Sequence, residues 1–175
     1  MLLPLLFCFF TIMRIIRIEI NAISGYDKPL GPGFGPPSLV TIQGLVKAHA
    51  KRFFVNFRKD KSNIAFHLNI RFDEEREPVI VVNTQVNKTW GKEERKRTNI
   101  PFAPGDYFKI EIQCEEKYYN VTVNNEYLLQ YANRAIPVNE ITLLTVEGDV
   151  IVKEMIVEIS AKTENKECEQ PSINE

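Results

Sequence analysis

Three side chains that can hydrogen-bond, His67, Asn69 and Arg71, alternate with apolar residues in the segment 64–72. Because successive side chains of a β-strand point to opposite faces of the sheet, this alternation predicts a half-buried strand that carries the three polar groups in a row. Their donors and acceptors suit the oxygen atoms of a neutral ligand, whereas a solvated sheet face is the simpler interpretation of the same pattern. The row by itself leaves both interpretations open.

The single tryptophan, Trp90, follows in a hydrophilic stretch next to Glu93 and Arg95. A lone tryptophan is most often a core residue, but its charged neighbours here make full burial difficult. An exposed aromatic ring beside hydrogen-bonding groups is a typical platform for a sugar, because the C–H face of a sugar stacks on the ring while its hydroxyls bond to polar side chains. Asn83, at the end of the intervening apolar segment, adds one more polar group.

The elements that must position these residues are predicted to be β-strands. Short alternating or β-branched segments recur between turn signals, and no stretch has a sustained helical period. The predicted strands cover residues 39–46, 53–58, 64–72, 79–83, 107–113, 119–123, 127–131, 141–146 and 150–159. This pattern predicts an all-β fold, either an antiparallel sandwich or a barrel.

The composition argues against several classes of protein. The chain has 175 residues, which predicts one domain with extensions, and its net charge of −1 lacks the basic excess typical of a nucleic-acid-binding protein. The three cysteines have no C-x-x-C spacing and there are only two histidines, so neither a disulfide framework nor a zinc site is expected. The sequence has no P-loop, G-x-G-x-x-G or G-x-S-x-G motif. We therefore expect no cofactor and no bound metal.

Both ends of the chain are predicted to lie outside this domain. Residues 1–24 form a hydrophobic N-terminal extension whose apolar run, residues 2–13, is too short to span a membrane as a helix. A cleaved signal peptide, a retained hydrophobic segment and a start-site artefact stay open as interpretations, because no Lys or Arg precedes the run and the spacing to a cleavage-like sequence is poor. Residues 160–175 are predicted to form a polar, acidic tail.

The order and spacing of these residues resemble the signature of the galectins, the β-galactoside-binding lectins. The resemblance rests on the motifs His67-x-Asn69-x-Arg71, Val81-Val82-Asn83 and Trp90-Gly91-x-Glu93-x-Arg95, with Asn99-Ile100-Pro101-Phe102 among the flanking matches. It covers about residues 26–159 and implies a single carbohydrate-recognition domain over residues 25–159. One departure is Ile70, which stands where the family often has proline.

The resemblance implies a two-sheet antiparallel β-sandwich, a jelly roll similar to the legume lectins, with a sugar in a groove on one sheet. It implies that His67, Asn69 and Arg71 hydrogen-bond the axial 4-hydroxyl of galactose, and that Trp90 stacks on the apolar face of that sugar. The implied carbohydrate-binding residues are His67, Asn69, Arg71, Asn83, Trp90, Glu93 and Arg95.

The remaining residues of this set have roles that the resemblance also implies. Asn83 and Glu93 would hold the 6-hydroxyl of galactose, while Glu93, Arg71 and Arg95 would contact the second sugar of a disaccharide. The expected partners are β-galactoside-terminated glycans on glycoproteins or glycolipids. One domain supplies one sugar site, so cross-linking of glycans would require a homodimer.

A glycoside hydrolase and an intracellular scaffold are the two alternatives to a β-galactoside-binding lectin. A glycoside hydrolase would need two carboxylates, for which Glu93 with Glu74 or Glu75 are the candidates. Because Glu93 lies between Lys92 and Arg95, we expect it to stay ionised, which is unsuited to a general acid. An intracellular scaffold with a galectin fold and weak or lost sugar binding is the other alternative, and the intact set of binding positions argues against it.

The resemblance also bears on where the protein resides. Galectins typically lack a signal peptide and leave the cytosol by unconventional export, which implies a cytoplasmic or extracellular location, or both. The sequence carries glycosylation sequons at Asn87 and Asn120. A glycan on Asn87 would crowd the groove beside Trp90, and this argues mildly against a working signal peptide.

Overall fold

Two β-sheets contain nearly all of the regular structure. The computed structural model describes residues 12–23, 26–31, 34–74 and 77–161, and its one helix is a short 3-10 turn, Val138–Glu140. The strands are β1 Ile12–Ile23, β2 Tyr26–Pro29, β3 Ser38–Val46, β4 Arg52–Asp60, β5 Asn63–Arg71, β6 Val79–Val86, β7 Thr89–Trp90, β8 Glu94–Lys96, β9 Tyr107–Cys114, β10 Tyr118–Val123, β11 Glu126–Ala132, β12 Leu143–Gly148 and β13 Val150–Ala161.

The strands form two antiparallel sheets, as the sequence pattern and the galectin resemblance predict. The six-stranded sheet has the order β1-β13-β3-β9-β10-β11, and the seven-stranded sheet has the order β2-β12-β4-β5-β6-β7 with β8 also paired to β6. The hairpin between β10 and β11 shows how local sequence directs this topology. Asn124 and Asn125 have φ of 52° and 67°, and a tight type I′ turn needs two such left-handed residues, which asparagine tolerates.

The core lies between the facing sides of the two sheets. On β4, Phe53 and Phe57 are fully buried, and on β5 so are Phe66 and Leu68. Rings from the two sheets meet there, with the centroid of Phe66 at 4.7 Å from that of Tyr119 on β10. Because these residues occupy every second position of β4 and β5, the alternate positions of both strands face away from the core. That opposite face carries His67, Asn69 and Arg71, which we call the polar row.

The N-terminal segment differs from the prediction that residues 1–24 lie outside the fold. Ile12–Ile23 forms β1, an edge strand that pairs with β13 from Ile12 opposite Ala161 to Ile23 opposite Val152. Its isoleucine-rich sequence suits a strand, and the edge of β13 supplies free backbone groups for pairing. At the other end, β13 continues to Ala161. Residues 1–11 and 162–175, with most of the predicted tail, lie outside the described residues.

Three further short strands have no counterpart among the predicted ones. They are β2, β7 and β8, of four, two and three residues, and such short edge pairings leave little periodicity for a sequence to show. None of the helices in the described ranges is long and apolar enough to cross a membrane. The two shortest strands, β7 and β8, carry or flank Trp90 and Glu93, so they belong to the candidate site.

We expect the thiol of Cys114 to react slowly in the folded protein. Cys114 alternates with Ile110 and Ile112 on β9, which predicts an inward-facing side chain, and the structure confirms that it is buried. Burial raises the pKa of this thiol, so the reactive thiolate is scarce. In a chain with Cys8→Ser and Cys168→Ser, labelling by a thiol reagent should be slow natively and fast in urea. Equal rates in both conditions would contradict the buried position.

Candidate functional site

A groove on the outer face of the seven-stranded sheet collects most of the residues selected from the sequence. Its volume is about 370 Å³. The predicted residues that line it are His67, Asn69, Arg71, Asn83, Trp90 and Glu93. The seventh, Arg95, does not line the groove but pairs with Glu93, with its Nη2 at 2.5 Å from Glu93 Oε2. The structure therefore brings the whole predicted set to one place.

Strand register places four buried polar side chains side by side, and three of them, Asn56, His67 and Asn83, line the groove. Thr145 on β12 is opposite Asn56 on β4. Asn56 is opposite His67 on β5, which in turn is opposite Asn83 on β6. Asn56 Nδ2 donates to Thr145 Oγ1 at 2.9 Å, and Asn56 Oδ1 lies 2.5 Å from His67 Nδ1. Because an amide oxygen can only accept, His67 carries its proton on Nδ1 and keeps Nε2 as an acceptor.

The polar face of β5 is more enclosed than the predicted half-buried strand. His67, Asn69 and the residues between Ile64 and Ile70 are all buried on both faces of the strand. The cause is the aromatic wall of the groove, since the His67 ring lies 5.5 Å from Phe54 and 4.8 Å from Trp90, centroid to centroid. Burial, together with the positive charges of Arg71 and Arg58, lowers the pKa of His67 to about 4. His67 is therefore neutral at neutral pH.

This low pKa predicts that mild acid destabilises the fold. The unfolded chain binds a proton on His67 near pH 6.5 but the folded chain does so only near pH 4, so stability falls as the pH drops between these values. Between pH 7 and pH 4.5 we expect a loss of about 2–3 kcal/mol from His67. Urea unfolding of wild type and of His67→Gln at both pH values measures it. A wild-type stability no more sensitive to pH than that of the variant would contradict the buried neutral imidazole.

Trp90 is held beside the groove by a tight hairpin. The turn residues Asn87 and Lys88 have φ of 49° and 64°, the left-handed pair that a type I′ turn requires. Trp90 then pairs with Gln85 across the β6–β7 ladder. Its side chain is 45% exposed, so one part of the ring contacts His67 and the rest is open to solvent. The prediction that this ring is difficult to bury fully is confirmed.

Two arginines and two glutamates form an ion-pair network at one end of the groove. Arg71 donates from Nη1 to Glu74 Oε2 at 2.7 Å and from Nη2 to Glu93 Oε1 at 3.2 Å. Arg95 donates from Nε to Glu93 Oε2 at 2.8 Å and also contacts Glu74. Hydrogen bonds from Arg71 and Arg95 lower the pKa of Glu74 to about 2. Burial acts to raise the pKa of Glu93, but hydrogen bonds from Arg95 and Arg71 outweigh it and the pKa is lowered.

Three buried polar atoms of the groove residues have no hydrogen-bond partner among the described residues. They are Arg58 Nε, Asn69 Oδ1 and Arg71 Nε. Buried polar atoms are normally paired, and leaving one unpaired costs about 1–3 kcal/mol. A ligand hydroxyl can satisfy both kinds of atom, because it donates to an amide oxygen and accepts from a guanidinium N–H.

Sequence reasoning missed Asn56 as a member of the site and considered Glu74 only as the partner of a hypothetical acid–base pair. The alternation of Phe54, Asn56 and Arg58 with apolar residues already places Asn56 on the outer face of its strand. What the alternation does not contain is the register that sets Asn56 opposite His67. Glu74 follows β5 in a loop, where no periodicity indicates the direction of a side chain.

Comparison with known proteins agrees with the sequence resemblance. A family model described as "Galactoside-binding lectin" matches residues 26–157. Galectin-3 of Oryctolagus cuniculus is 43% identical over 125 residues, which are 71% of this chain and 51% of that protein. Galectin-4 of Homo sapiens is 38% identical over 133 residues, 74% of this chain and 40% of that protein. The chain therefore spans about half the length, or less, of the relatives that it matches.

Solved structures share the architecture at lower sequence identity. The Caenorhabditis elegans galectin LEC-6 superposes with a TM-score of 0.71 at 24% identity, covering 81% of this chain and 94% of that chain. Sheep galectin-11, solved with glycerol, gives a TM-score of 0.68 at 24% identity, covering 78% and 99%. These two neighbours confirm the predicted two-sheet antiparallel sandwich. Because the family model matches residues 26–157 and relatives exceed 40% identity, the chain belongs to the galectin family, with a single carbohydrate-recognition domain.

Proposed function

We propose that this chain is a lectin that binds β-galactosides, of the lactose or N-acetyllactosamine type, without changing them. The observation that carries the proposal is one groove that combines an exposed Trp90 ring with the unpartnered atoms Asn69 Oδ1 and Arg71 Nε. A sugar ring has an apolar C–H face and a polar rim, and such a groove can satisfy both at once. The match to galactoside-binding lectins supports the same choice of sugar.

The polar row accounts for a preference for galactose over glucose. His67 offers an acceptor at Nε2, Asn69 an unpaired amide oxygen and Arg71 an unpaired N–H donor. An axial 4-hydroxyl can bond to this cluster while the opposite face of the sugar stays apolar enough to stack on Trp90. Glucose has an equatorial 4-hydroxyl, so its binding would leave buried donors and acceptors unpaired. Because unpaired buried groups cost free energy, the site should bind glucose much more weakly than galactose.

Other residues of the site would hold the 6-hydroxyl and the second sugar. Asn83 Nδ2 donates to Gly91 O at 2.9 Å, and Asn83 Oδ1 accepts from Thr84 N at 2.8 Å. One N–H of the Asn83 amide therefore stays available to the ligand. Glu93 is held ionised by its two arginines and keeps free lone pairs for sugar hydroxyls. We assign these two residues to the 6-hydroxyl, with Glu93, Arg71 and Arg95 beside the second sugar.

The state of the two carboxylates supports binding without hydrolysis. A glycosidase needs one carboxyl group that is protonated and ready to donate. Glu74 and Glu93 both have a lowered pKa because Arg71 and Arg95 bond to them, so neither holds a proton at neutral pH. Glu75, the other candidate partner, lies outside the described residues.

We propose that binding needs no metal ion. Within residues 12–23, 26–31, 34–74 and 77–161, no three His, Cys, Asp or Glu side chains are grouped so that they could hold one. The sugar contacts assigned above are all direct contacts to protein side chains. Lactose binding is therefore expected to be the same in EDTA and in calcium.

Retention on lactose-agarose with elution by lactose, but not by sucrose, tests the proposal. Titration calorimetry with lactose should give a dissociation constant of roughly 10⁻⁴ M, because a shallow groove must desolvate each hydroxyl that it binds. A reducing-sugar assay on the eluted lactose should show no hydrolysis. Failure of the protein to bind lactose, or a loss of binding in EDTA that calcium restores, would overturn the proposal.

The proposed partners are glycans that end in β-galactosides, on glycoproteins or glycolipids, and the proposed location is cytoplasmic, extracellular or both. A homodimer would present two sites and cross-link such glycans. Sedimentation of the purified chain with and without lactose measures the assembly. Haemagglutination that lactose inhibits would support cross-linking by a dimer. If the chain sediments as a monomer and does not agglutinate cells, the proposed cross-linking is overturned.

A further inference from the structure

Arg134 is a residue that does not line the groove and that no sequence motif singled out. It follows β11 in the connection to β12, and its side chain is 27% exposed. Its guanidinium donates to three acceptors on the seven-stranded sheet. Nη1 donates to Lys92 O at 2.6 Å and to Asn83 Oδ1 at 3.3 Å, and Nη2 donates to Glu94 Oε1 at 2.7 Å.

These acceptors belong to the segment that carries the predicted sugar contacts. Residues 91–93 connect β7, which ends at Trp90, to β8, which begins at Glu94. The start of this loop is tied to β6 by the bonds from Gly91 N to Thr84 O and from Asn83 Nδ2 to Gly91 O, each 2.9 Å long. Arg134 ties down its other end, at Lys92 and Glu94. Glu93 thus lies on a loop that is held at both ends, and Trp90 directly precedes that loop.

The guanidinium of Arg134 packs on the ring of a buried tyrosine, Tyr131. Its guanidinium carbon lies 4.8 Å from the centroid of the Tyr131 ring, a distance at which a cation is attracted to an aromatic face. Tyr131 is fully buried, and its hydroxyl lies 2.7 Å from Thr84 Oγ1. The guanidinium packs closely against Gly91, where an added Cβ would stand 3.2 Å from Arg134 Nη1. The contact is therefore close and built into the backbone of the loop.

Arg134 also decides how Asn83 faces the ligand. With Arg134 Nη1 and Thr84 N both donating to Oδ1, the amide cannot rotate to place its NH₂ group there without opposing donor to donor. Nδ2 then keeps its bond to Gly91 O and directs its second N–H away from the loop. A guanidinium suits this task because its planar fork reaches several oxygen atoms at fixed angles.

We propose that Arg134 is a positioning residue of the sugar site. By bonding Asn83, Lys92 and Glu94, it holds residues 91–94 in place and, through them, the orientation of the Trp90 ring. It acts through these residues and touches no sugar itself. The sugar-affinity part of this inference rests on the proposed function, whereas the loop-holding part concerns the protein without ligand. The two parts are therefore measured separately.

The test uses the fluorescence of Trp90, which reports on the loop alone because the chain has a single tryptophan. Arg134→Met keeps an apolar stem but removes every donor. Without sugar, this variant should show a shifted emission maximum and faster acrylamide quenching than wild type. Arg134→Lys, which keeps the charge and loses the fork, should fall between the two. In calorimetry, lactose binding by Arg134→Met should weaken about tenfold, the order of loss seen when a supporting hydrogen-bond partner is removed from other sites.

Two further variants keep the test decisive. Glu94→Gln removes the negative charge of one exposed anchor and so weakens its bond to Arg134. It should shift Trp90 emission in the same direction by a smaller amount, even where Arg134→Met folds poorly. Lys109→Gln, which breaks the Lys109–Glu111 pair on the other sheet at 2.8 Å, is the matched charge control and should change nothing. Unaltered quenching in both Arg134→Met and Glu94→Gln would overturn the positioning role. Altered quenching in a protein that never binds lactose would uphold the loop-holding role and overturn only the proposed function.

Discussion

Trp90→Ala is expected to weaken lactose binding at least tenfold while leaving the melting temperature nearly unchanged. The substitution removes the stacking surface but keeps the hydrogen-bonding groups of the polar row. Stacking of a nucleic-acid base on an aromatic side chain contributes about 1–3 kcal/mol, and we expect the sugar face to contribute on the same scale. The Trp90 ring is 45% exposed and lies against the His67 ring. Its loss should therefore change the stability of the fold little. Trp90→Phe should recover part of the affinity because a smaller ring still offers an apolar face.

Calorimetry with lactose and thermal melts on each Trp90 variant separate binding from folding. Tyr127→Ala is a suitable control, since Tyr127 is an aromatic residue that is 70% exposed on the other sheet. It should change neither affinity nor melting temperature. Wild-type affinity in Trp90→Ala would show that the groove is assigned to the wrong surface, and a collapse of its melting temperature would show that the ring supports the fold.

Arg71→Ala is expected to cost more than the loss of stacking, with lactose binding reduced at least a hundredfold. Arg71 supplies the unpartnered Nε donor and also holds Glu74 and Glu93 through its two Nη atoms. Its removal leaves both carboxylates to Arg95 alone and frees Glu93 to move. Each hydrogen bond to a charged group contributes about 1.5–3 kcal/mol, and at least two such contacts are lost. Arg71→Lys should recover little, because an ammonium group cannot reproduce the fork.

Weak binding by these variants is best followed by NMR at millimolar lactose. Lys59→Ala breaks the exposed ion pair of Lys59 with Glu140, which is 2.6 Å long, and so controls for the loss of one positive charge away from the groove. It should bind lactose like wild type. Affinity in Arg71→Lys within threefold of wild type would show that the guanidinium geometry plays no part in binding.

Much of this fold could be predicted from residue patterns, because the constraint acting on each strand was local. The alternation in 64–72 required His67 and Asn69 on one face and Phe66 on the other, and the core of the structure obeys it. The Asn124-Asn125 pair marked a turn, since few other residues adopt left-handed backbone conformations readily. The charged neighbours of Trp90 indicated that its ring is partly exposed, and this constraint is also local to one short segment.

The features that could not be predicted depend on contacts between distant segments. Asn56 acquires its role from the register of β4 against β5, and the alternation within one strand carries no information about register. Arg134 bonds to Asn83 from 51 residues further along the chain, in a segment with no motif of its own. Ile12–Ile23 becomes a strand because β13, near the other end of the chain, offers it an edge. Each outcome follows from an interaction of two segments, which neither segment specifies by itself.

The edge strand β1 determines how a second molecule can join the sheet. β13 has β3 on one side and β1 on the other, so its backbone groups are taken and it cannot extend the sheet into another copy. In the described part of the chain, the free edges of the six-stranded sheet belong to β1 and β11. A two-fold dimer that extends the six-stranded sheet would therefore join β1 to β1 or β11 to β11. Either arrangement leaves the opposite sheet uncovered, and with it a groove on each subunit open to a separate glycan chain.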